Sequence, residues 1–140
     1  MEHVFNQTPL YKFLSYCNHE GLERSVLDCG AGGPFPPLAL FKQFDYQTYG
    51  IELNDGQIKK ASIFAINHNL ALNIRKGDIR NLPFNDHSIS YIYSYNTIFH
   101  MKKDDIVMAI NEMKRVLKTG GLCFINFLSI HDEGFGEGEI

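Results

Sequence analysis

Apolar residues along this chain follow two periods that alternate. From Ser25 onward, continuous apolar runs stand at 25–30 (SVLDCG), 47–53 (QTYGIEL), 90–96 (SYIYSYN) and 121–129 (GLCFINFLS), with a weaker one at 73–78 (NIRKGD). Short runs bounded by turn residues read as strands covered on both faces. Between them, apolar positions recur every three or four residues, as on one face of a helix. Leu10, Phe13, Leu14 and Cys17, after Thr8 and Pro9, predict a helix over about 9–20 that ends near Gly21. Pro36 and Pro37 open a second helix with Leu38, Leu40, Phe41 and Phe44 on its apolar side. Asn54 caps a third, with Ile58, Ala61 and Ala65 on one face. Asp104 or Asp105 caps a fourth, in which Ile106, Ile110, Met113 and Leu117 align before Gly120 stops it. Residues 79–88 (IRNLPFNDHS) carry Pro, Asn and Asp and read as a loop.

Five strands separated by helices, with connections long enough for right-handed crossovers, predict an α/β fold: a doubly wound, Rossmann-like, mostly parallel sheet. The 140 residues, 44% of them hydrophobic, fit one domain over 1–140. Within it lie an N-terminal helix at about 9–20, a core at about 25–129 and an acidic tail at 130–140.

Composition narrows the partners. Three cysteines without a CxxC pair argue against a disulfide scaffold and for a reducing, cytoplasmic setting. No run approaches the roughly 18 apolar residues of a membrane span, and the N-terminus lacks a targeting pattern. The net charge is −3, but the last ten residues hold four acids and no Lys or Arg, which leaves 13 basic against 12 acidic groups elsewhere. A nearly neutral body predicts no nucleic-acid partner. The six histidines, at 3, 19, 68, 87, 100 and 131, show no paired spacing, so no metal site is expected.

In doubly wound sheets, ligands sit at the carboxyl ends of the strands. The loops after Asp28, Leu53, Asp78 and Tyr95 share that edge. The first, DCGAGGPFPP, removes Cβ atoms at Gly30, Gly32 and Gly33 and leads to a helix start with free N–H groups. A plain tight turn would need similar residues. Glu52 narrows the choice: it closes the second strand 22 positions after Gly30, close to the spacing of about 20 at which an acid accepts from ribose hydroxyls. Dinucleotide binding would place the third glycine of its fingerprint at position 35, where a bulky Phe35 stands at the expected helix-to-strand contact.

These segments, VLDCGAGG, YGIEL, KGDIRNLPFNDHSISYIYSYNTIFHM and RVLKTGGLCFINFLS, in this order and spacing, resemble the successive motifs of class I S-adenosylmethionine-dependent methyltransferases, most closely the small-molecule type 11 group. The resemblance spans 25–129. It implies S-adenosylmethionine as cofactor and methyl transfer to a small-molecule acceptor. By position it implies that Gly30, Ala31 and Gly32 wrap the methionine end, with Asp28 fixing the loop and helping to hold the amino group. Glu52 would take the ribose hydroxyls and Leu53 would lie against adenine. Asp78 and Ile79 would meet the adenine edge, and Ser94 and Tyr95 the sulfonium side. Pro34 replaces the motif's last glycine, and Ser90 the acid that usually opens the fourth strand.

Methyl transfer needs positioning more than proton transfer, so a general base is optional. His100, after the fourth strand, is the candidate, since an imidazole accepts a proton near neutrality. Tyr11 and Phe13 read as core, with closure over the ligand as the alternative. The resembling fold continues past the fifth strand with a helix and a hairpin, which this chain is expected to lack. The apolar fifth strand would then carry an unpaired edge, so homo-oligomer formation through that edge, cover from the tail, or truncation from a longer enzyme is expected. Two other functions compete: a non-catalytic cofactor-binding fragment or regulatory module, and an NAD-dependent oxidoreductase.

Overall fold

The computed structural model describes residues 8–126. The predicted tail at 130–140 and the last part of the predicted fifth strand lie outside the described residues. The chain opens with α1 (Thr8–Glu20) and continues as β1 (Ser25–Cys29), α2 (Leu38–Lys42), β2 (Gln47–Glu52), α3 (Asp55–Asn67), β3 (Ile74–Lys76), β4 (Ile89–Ser94), α4 (Lys103–Val116) and β5 (Leu117–Ile125). A 3-10 turn, Ile98–His100, joins β4 to α4. Every pairing is parallel and the order is β3-β2-β1-β4-β5. Strands β1 and β4 are neighbours in the sheet but not in sequence, so the winding reverses between them and a crevice opens at their carboxyl ends.

Burial follows from the two covered faces. Every residue of β1 and of β4 is buried. On one face, Leu10, Phe13, Leu14 and Cys17 of α1 and Leu38 and Phe41 of α2 pack on Val26, Tyr91 and Tyr93. Phe41 stacks on Tyr93 at 5.3 Å between centroids, and Phe13 meets both rings edge-on. Phe13 is therefore core, which excludes it from closing over a ligand; Tyr11 is exposed. The Tyr91 hydroxyl donates to the Cys17 carbonyl (3.0 Å) and accepts the Leu22 N–H (3.1 Å), fastening the end of α1 to the sheet. On the opposite face, Ile106, Ala109, Met113 and Val116 of α4 cover Leu27, Cys29, Ile51 and Ile92.

Several boundaries differ from the sequence pattern. The second helix starts only at Leu38 and ends at Lys42, so Phe44 falls beyond its apolar stripe and is exposed. Helix α4 is not capped by an aspartate side chain: Lys102 holds the N-cap, and Asp104 and Asp105 sit in the first turn, where their charge favours the positive helix end. Gly120 does not stop α4. The Arg115 and Val116 carbonyls accept the N–H groups of His87 and Ser88, both at 2.8 Å, and Leu117 pairs with Ile89, so the chain passes straight from helix to strand. Gly120, with φ of +83°, lies in a bulge where two steps along β4, Ile89 to Tyr91, correspond to five along β5, Leu117 to Leu122. The fifth strand thus begins at 117 rather than 121. The others stay within the predicted runs, except that β4 starts one residue earlier, at Ile89.

The loop at 79–88 is irregular, as its composition predicts, yet strongly held. The Arg115 guanidinium donates to the carbonyls of Leu82 (2.9 Å) and Phe84 (2.8 Å) and pairs with Asp86 (2.8 Å) and Glu112 (2.8 Å), while Glu112 accepts the Leu82 N–H at 2.8 Å.

Candidate functional site

The carboxyl edge of β1, β2 and β3 encloses a cavity of about 310 Å³. Among its walls are Gly30 from the first loop, Glu52 and Leu53 from the end of β2, Asp78 and Ile79 from the loop after β3, and Thr97, Met101 and Asp105 from the segment after β4. The fold alone explains the gathering, since parallel strands deliver every one of these loops to the same edge.

The glycine loop is built differently from the expected cradle of free N–H groups. Gly30 and Ala31 donate to the Ile51 carbonyl (2.8 and 3.1 Å), Gly32 to Glu52 Oε1 (2.8 Å) and Gly33 to the Gln57 carbonyl (2.9 Å). Four consecutive donors are engaged within the protein, and Pro36 and Pro37 bring none. The loop instead offers close approach. Gly30 has φ of +99° and lies against the Thr97 side chain, and a Cβ on Gly32 would come within 2.7 Å of Gln57 Cβ and 2.8 Å of Glu52 Oε1. Ala31 is fully buried, its methyl group facing Gly50.

Glu52 is the hinge of this arrangement. Its Oε1 accepts from Gly32 and its Oε2 from the Asn54 N–H at 3.2 Å, and Asn54 in turn caps α3 by accepting from Gln57 (3.0 Å). The acid therefore ties the first and second loops to the start of α3. Asp78 is clamped by its neighbour: the Arg80 N–H donates to Oδ1 (2.9 Å) and the guanidinium to both carboxylate oxygens. Hydrogen bonds from Arg80 hold the Asp78 carboxyl below the usual carboxylate range.

Asp28, at the end of β1, is buried on the α1 face beside Tyr93, its partner in the β1–β4 register. Burial pushes its carboxyl up to about 7, the Tyr93 hydroxyl opposes the rise, and the charge of Glu52 adds to it. Neither Asp28 Oδ2 nor the Tyr93 hydroxyl completes a hydrogen bond with a protein group among the described residues. The Tyr93 hydroxyl is the polar neighbour of the buried Asp28 carboxyl, in surroundings that are otherwise apolar.

Of the residues singled out from sequence, Gly30, Glu52, Leu53, Asp78 and Ile79 line the cavity; Leu53 is exposed and Ile79 buried. Asp28, Ala31, Gly32, Ser94, Tyr95 and His100 do not. The Ser94 hydroxyl donates to the Cys29 carbonyl (2.9 Å) inside the sheet, the Tyr95 ring stacks on Phe124 at 6.3 Å, and His100 is exposed on the 3-10 turn. Phe35 is not at a helix-to-strand contact: it is half exposed and meets Phe64 of α3 edge-on, so it does not bear on dinucleotide binding. Arg80, Thr97 and Met101 were not singled out, and Asp105 was expected only as a helix cap; the signal for all four is their place in the segments after β3 and β4 that reach the same edge. Among the described residues, no three His, Cys, Asp or Glu side chains gather as a metal site. No helix among them is long and apolar enough to cross a membrane.

Comparison with known proteins agrees with this fold. The methyltransferase domain family of type 11 matches residues 27–125. The sterol 24-C-methyltransferase of Neurospora crassa is 36% identical over 103 residues, 71% of this chain and 26% of the relative. That of Aspergillus fumigatus is 32% identical over 105 residues, 74% of this chain and 27% of the relative. This chain thus spans about a quarter of the length of these curated relatives. Among solved structures, the PH0226 protein of Pyrococcus horikoshii superposes with a TM-score of 0.80 at 22% identity, covering 94% of this chain and 55% of that one. An S-adenosylmethionine-dependent methyltransferase of Clostridium acetobutylicum does so with a TM-score of 0.68 at 16% identity, covering 88% and 55%. At these identities the structural matches establish the fold alone. The family match covers most of the chain: it belongs to the class I S-adenosylmethionine-dependent methyltransferases, in the type 11 group.

Proposed function

We propose that this chain binds S-adenosylmethionine at the carboxyl edge of its sheet and transfers the methyl group to a small-molecule acceptor. Glu52 carries the reading. A carboxylate has about four lone-pair sites. The N–H groups of Gly32 and Asn54 take two and fix the orientation, which leaves two for a vicinal pair of ribose hydroxyls. Leu53 and Ile79 offer apolar contact for the adenine, with Asp78 at its edge. Gly30, Ala31 and Gly32 admit the methionine end by close approach, and Asp28, with its unpartnered oxygen, receives the ammonium group. Ser94 and Tyr95 border the sulfonium side.

The bound sulfonium supplies a methyl group on a good leaving group. The protein's part is to bind, orient and exclude water, and His100 is the candidate base for an acceptor that must lose a proton. The relatives' names point to sterols, which favours a small, largely apolar acceptor. The buried, unlinked Cys17 and Cys29 suit a reducing, cytoplasmic setting. Strand β5 ends the described sheet, and pairing of its edge with a second copy belongs to the same reading. Sedimentation showing a monomer whose amides at 122–126 exchange freely would overturn that pairing.

The test of the site is calorimetry with S-adenosylmethionine and its demethylated product. Glu52→Ala is expected to weaken both by tenfold or more, about the effect of removing a charged hydrogen-bond partner. Equal binding by parent and variant, or by neither, overturns the assignment. Binding without transfer to any acceptor across a broad screen would leave a cofactor-binding module and refute the transferase.

A further inference from the structure

A second cavity, of about 530 Å³, shares no residue with the one at the carboxyl edge. Ser25, Gln47 and Ile89, the first residues of β1, β2 and β4, border it, so it opens at the amino ends of the strands. Part of its wall is aromatic: the half-buried rings of Tyr49 and Phe84 meet edge-on at 5.7 Å. Phe84 belongs to the loop at 79–88, which is fixed here from several sides. Arg115 holds the Phe84 carbonyl at 2.8 Å, and Ser88 donates its N–H to the Val116 carbonyl and its hydroxyl to the Asn85 carbonyl, at 2.8 and 2.7 Å. Two arginines line the same cavity. Arg24 donates to the Phe44 carbonyl at 2.6 Å and lies over the Tyr46 ring at 5.3 Å. Arg75 lies over the Phe84 ring at 5.2 Å. The other three of the chain's four arginines donate hydrogen bonds to protein groups, but among the described residues nothing accepts one from the Arg75 guanidinium and no acid pairs with it. The acid in the wall, Glu23, is taken by Lys118 at 3.1 Å.

A guanidinium offers five donors in a planar fork that matches two oxygens of one oxyanion, and contact with a ring face holds it in place without giving those donors an acceptor. The two cavities differ in sign. The carboxyl edge sets three acids, Glu52, Asp78 and Asp105, against one cation, Arg80, whereas the amino edge sets two guanidiniums against one carboxylate that is already paired. We propose that the amino-edge cavity is a second binding site, for a small organic anion: a carboxylate or phosphate that accepts from Arg75 and Arg24, carried on a flat apolar body that packs against Tyr49 and Phe84. The cavity's size falls within the range of about 300–1,000 Å³ common to small-molecule sites. Flat rings suit its walls, because aromatic side chains gain from edge-on and offset contact. Two guanidiniums in one cavity match one anionic headgroup rather than the spaced phosphates of a polymer. The site is independent of the methyl-transfer reading, since none of its residues reaches the other edge.

The chain has no tryptophan, so the fluorescence of a naphthyl probe reports binding directly. The experiment titrates the whole chain into 2-naphthoate, 2-naphthyl phosphate and the neutral 2-naphthamide and follows anisotropy. The two anions are expected to bind at least tenfold more tightly than the amide, and the tighter of them identifies the headgroup. Raising the salt concentration should weaken the anions and leave the amide unchanged. Arg75→Ala is expected to reduce the anion-to-amide ratio by about tenfold, and Arg75→Lys, which keeps the charge but not the planar fork, to recover part of it. The ratio separates loss of charge from damage to the cavity, which would weaken all three probes alike. Saturating S-adenosylhomocysteine, directed at the other cavity, should leave the anion affinities as they are. No binding of either anion, equal binding of anion and amide, an Arg75→Ala ratio equal to the parent's, or displacement by S-adenosylhomocysteine would each overturn the proposal.

Discussion

Replacing Asp28 by Asn is expected to stabilise the protein at alkaline pH. The carboxyl is 1% exposed and has an oxygen without a partner, and burial raises its titration from 3.8 to about 7. Because the folded value lies above the unfolded one, the native state binds more protons than the unfolded chain between about pH 4 and 7. The favourable contribution of this group is complete below pH 4 and is lost as pH rises through 7. Three units at about 1.36 kcal/mol each amount to about 4 kcal/mol. The other ionisable groups around it, Glu52, Cys29 and Tyr93, supply no positive charge to offset this cost. Asparagine keeps the shape and carries no charge at any pH. Urea unfolding at pH 5 and pH 8 is the assay. The parent should lose stability between the two, and Asp28→Asn should exceed it by about 4 kcal/mol at pH 8 but only by about 1–2 kcal/mol at pH 5, where the cost of the acid has just begun to accumulate. A variant less stable than the parent at pH 8, or one that keeps the parent's full pH dependence, would refute the reasoning. The same substitution is expected to weaken S-adenosylmethionine binding, so this destabilising group would be retained for binding.

Two further substitutions probe the scaffold. Tyr91→Phe removes the hydroxyl that serves both the Cys17 carbonyl and the Leu22 N–H, and is expected to cost about 1–2 kcal/mol, with faster amide exchange at the end of α1. Arg115→Ala releases the Leu82 and Phe84 carbonyls, Asp86 and Glu112 together, and should cost about 2–3 kcal/mol and open 79–88 to limited proteolysis; a parent-like cleavage pattern would show that the loop holds itself.

Much of the fold was legible because it is written at short range. Buried strands need unbroken apolar runs, and a helix with one covered face needs a stripe at three and four, so β1, β2, β4 and α1 followed from local pattern. The glycine loop and Glu52 were legible for a related reason: their separation along the chain is the length of one strand–helix–strand unit, which brings both to one edge. Asn54 announced its cap in the same local way.

What the tertiary structure decided depends on residues that meet across long separations, and no period records those. Helix α4 ends at Val116 because Ser88 and His87, nearly thirty positions earlier, claim its last carbonyls, and Gly120 was free to form a bulge instead. The N–H groups of the glycine loop are closed off by Ile51, Glu52 and Gln57, which changes a cradle of donors into a surface for close approach. Arg80, bonded to both Asp78 and Asp105, ties the loop after β3 to the first turn of α4, 25 residues further on, and Asp28 is an unusual acid only because the packed core buries it. The sequence by itself determined which residues could reach the edge of the sheet, since strand and helix periods are local properties of the chain. Only the packed fold decided which of them are engaged by protein partners and which remain open to a ligand, because hydrogen-bond saturation and burial arise where distant segments meet.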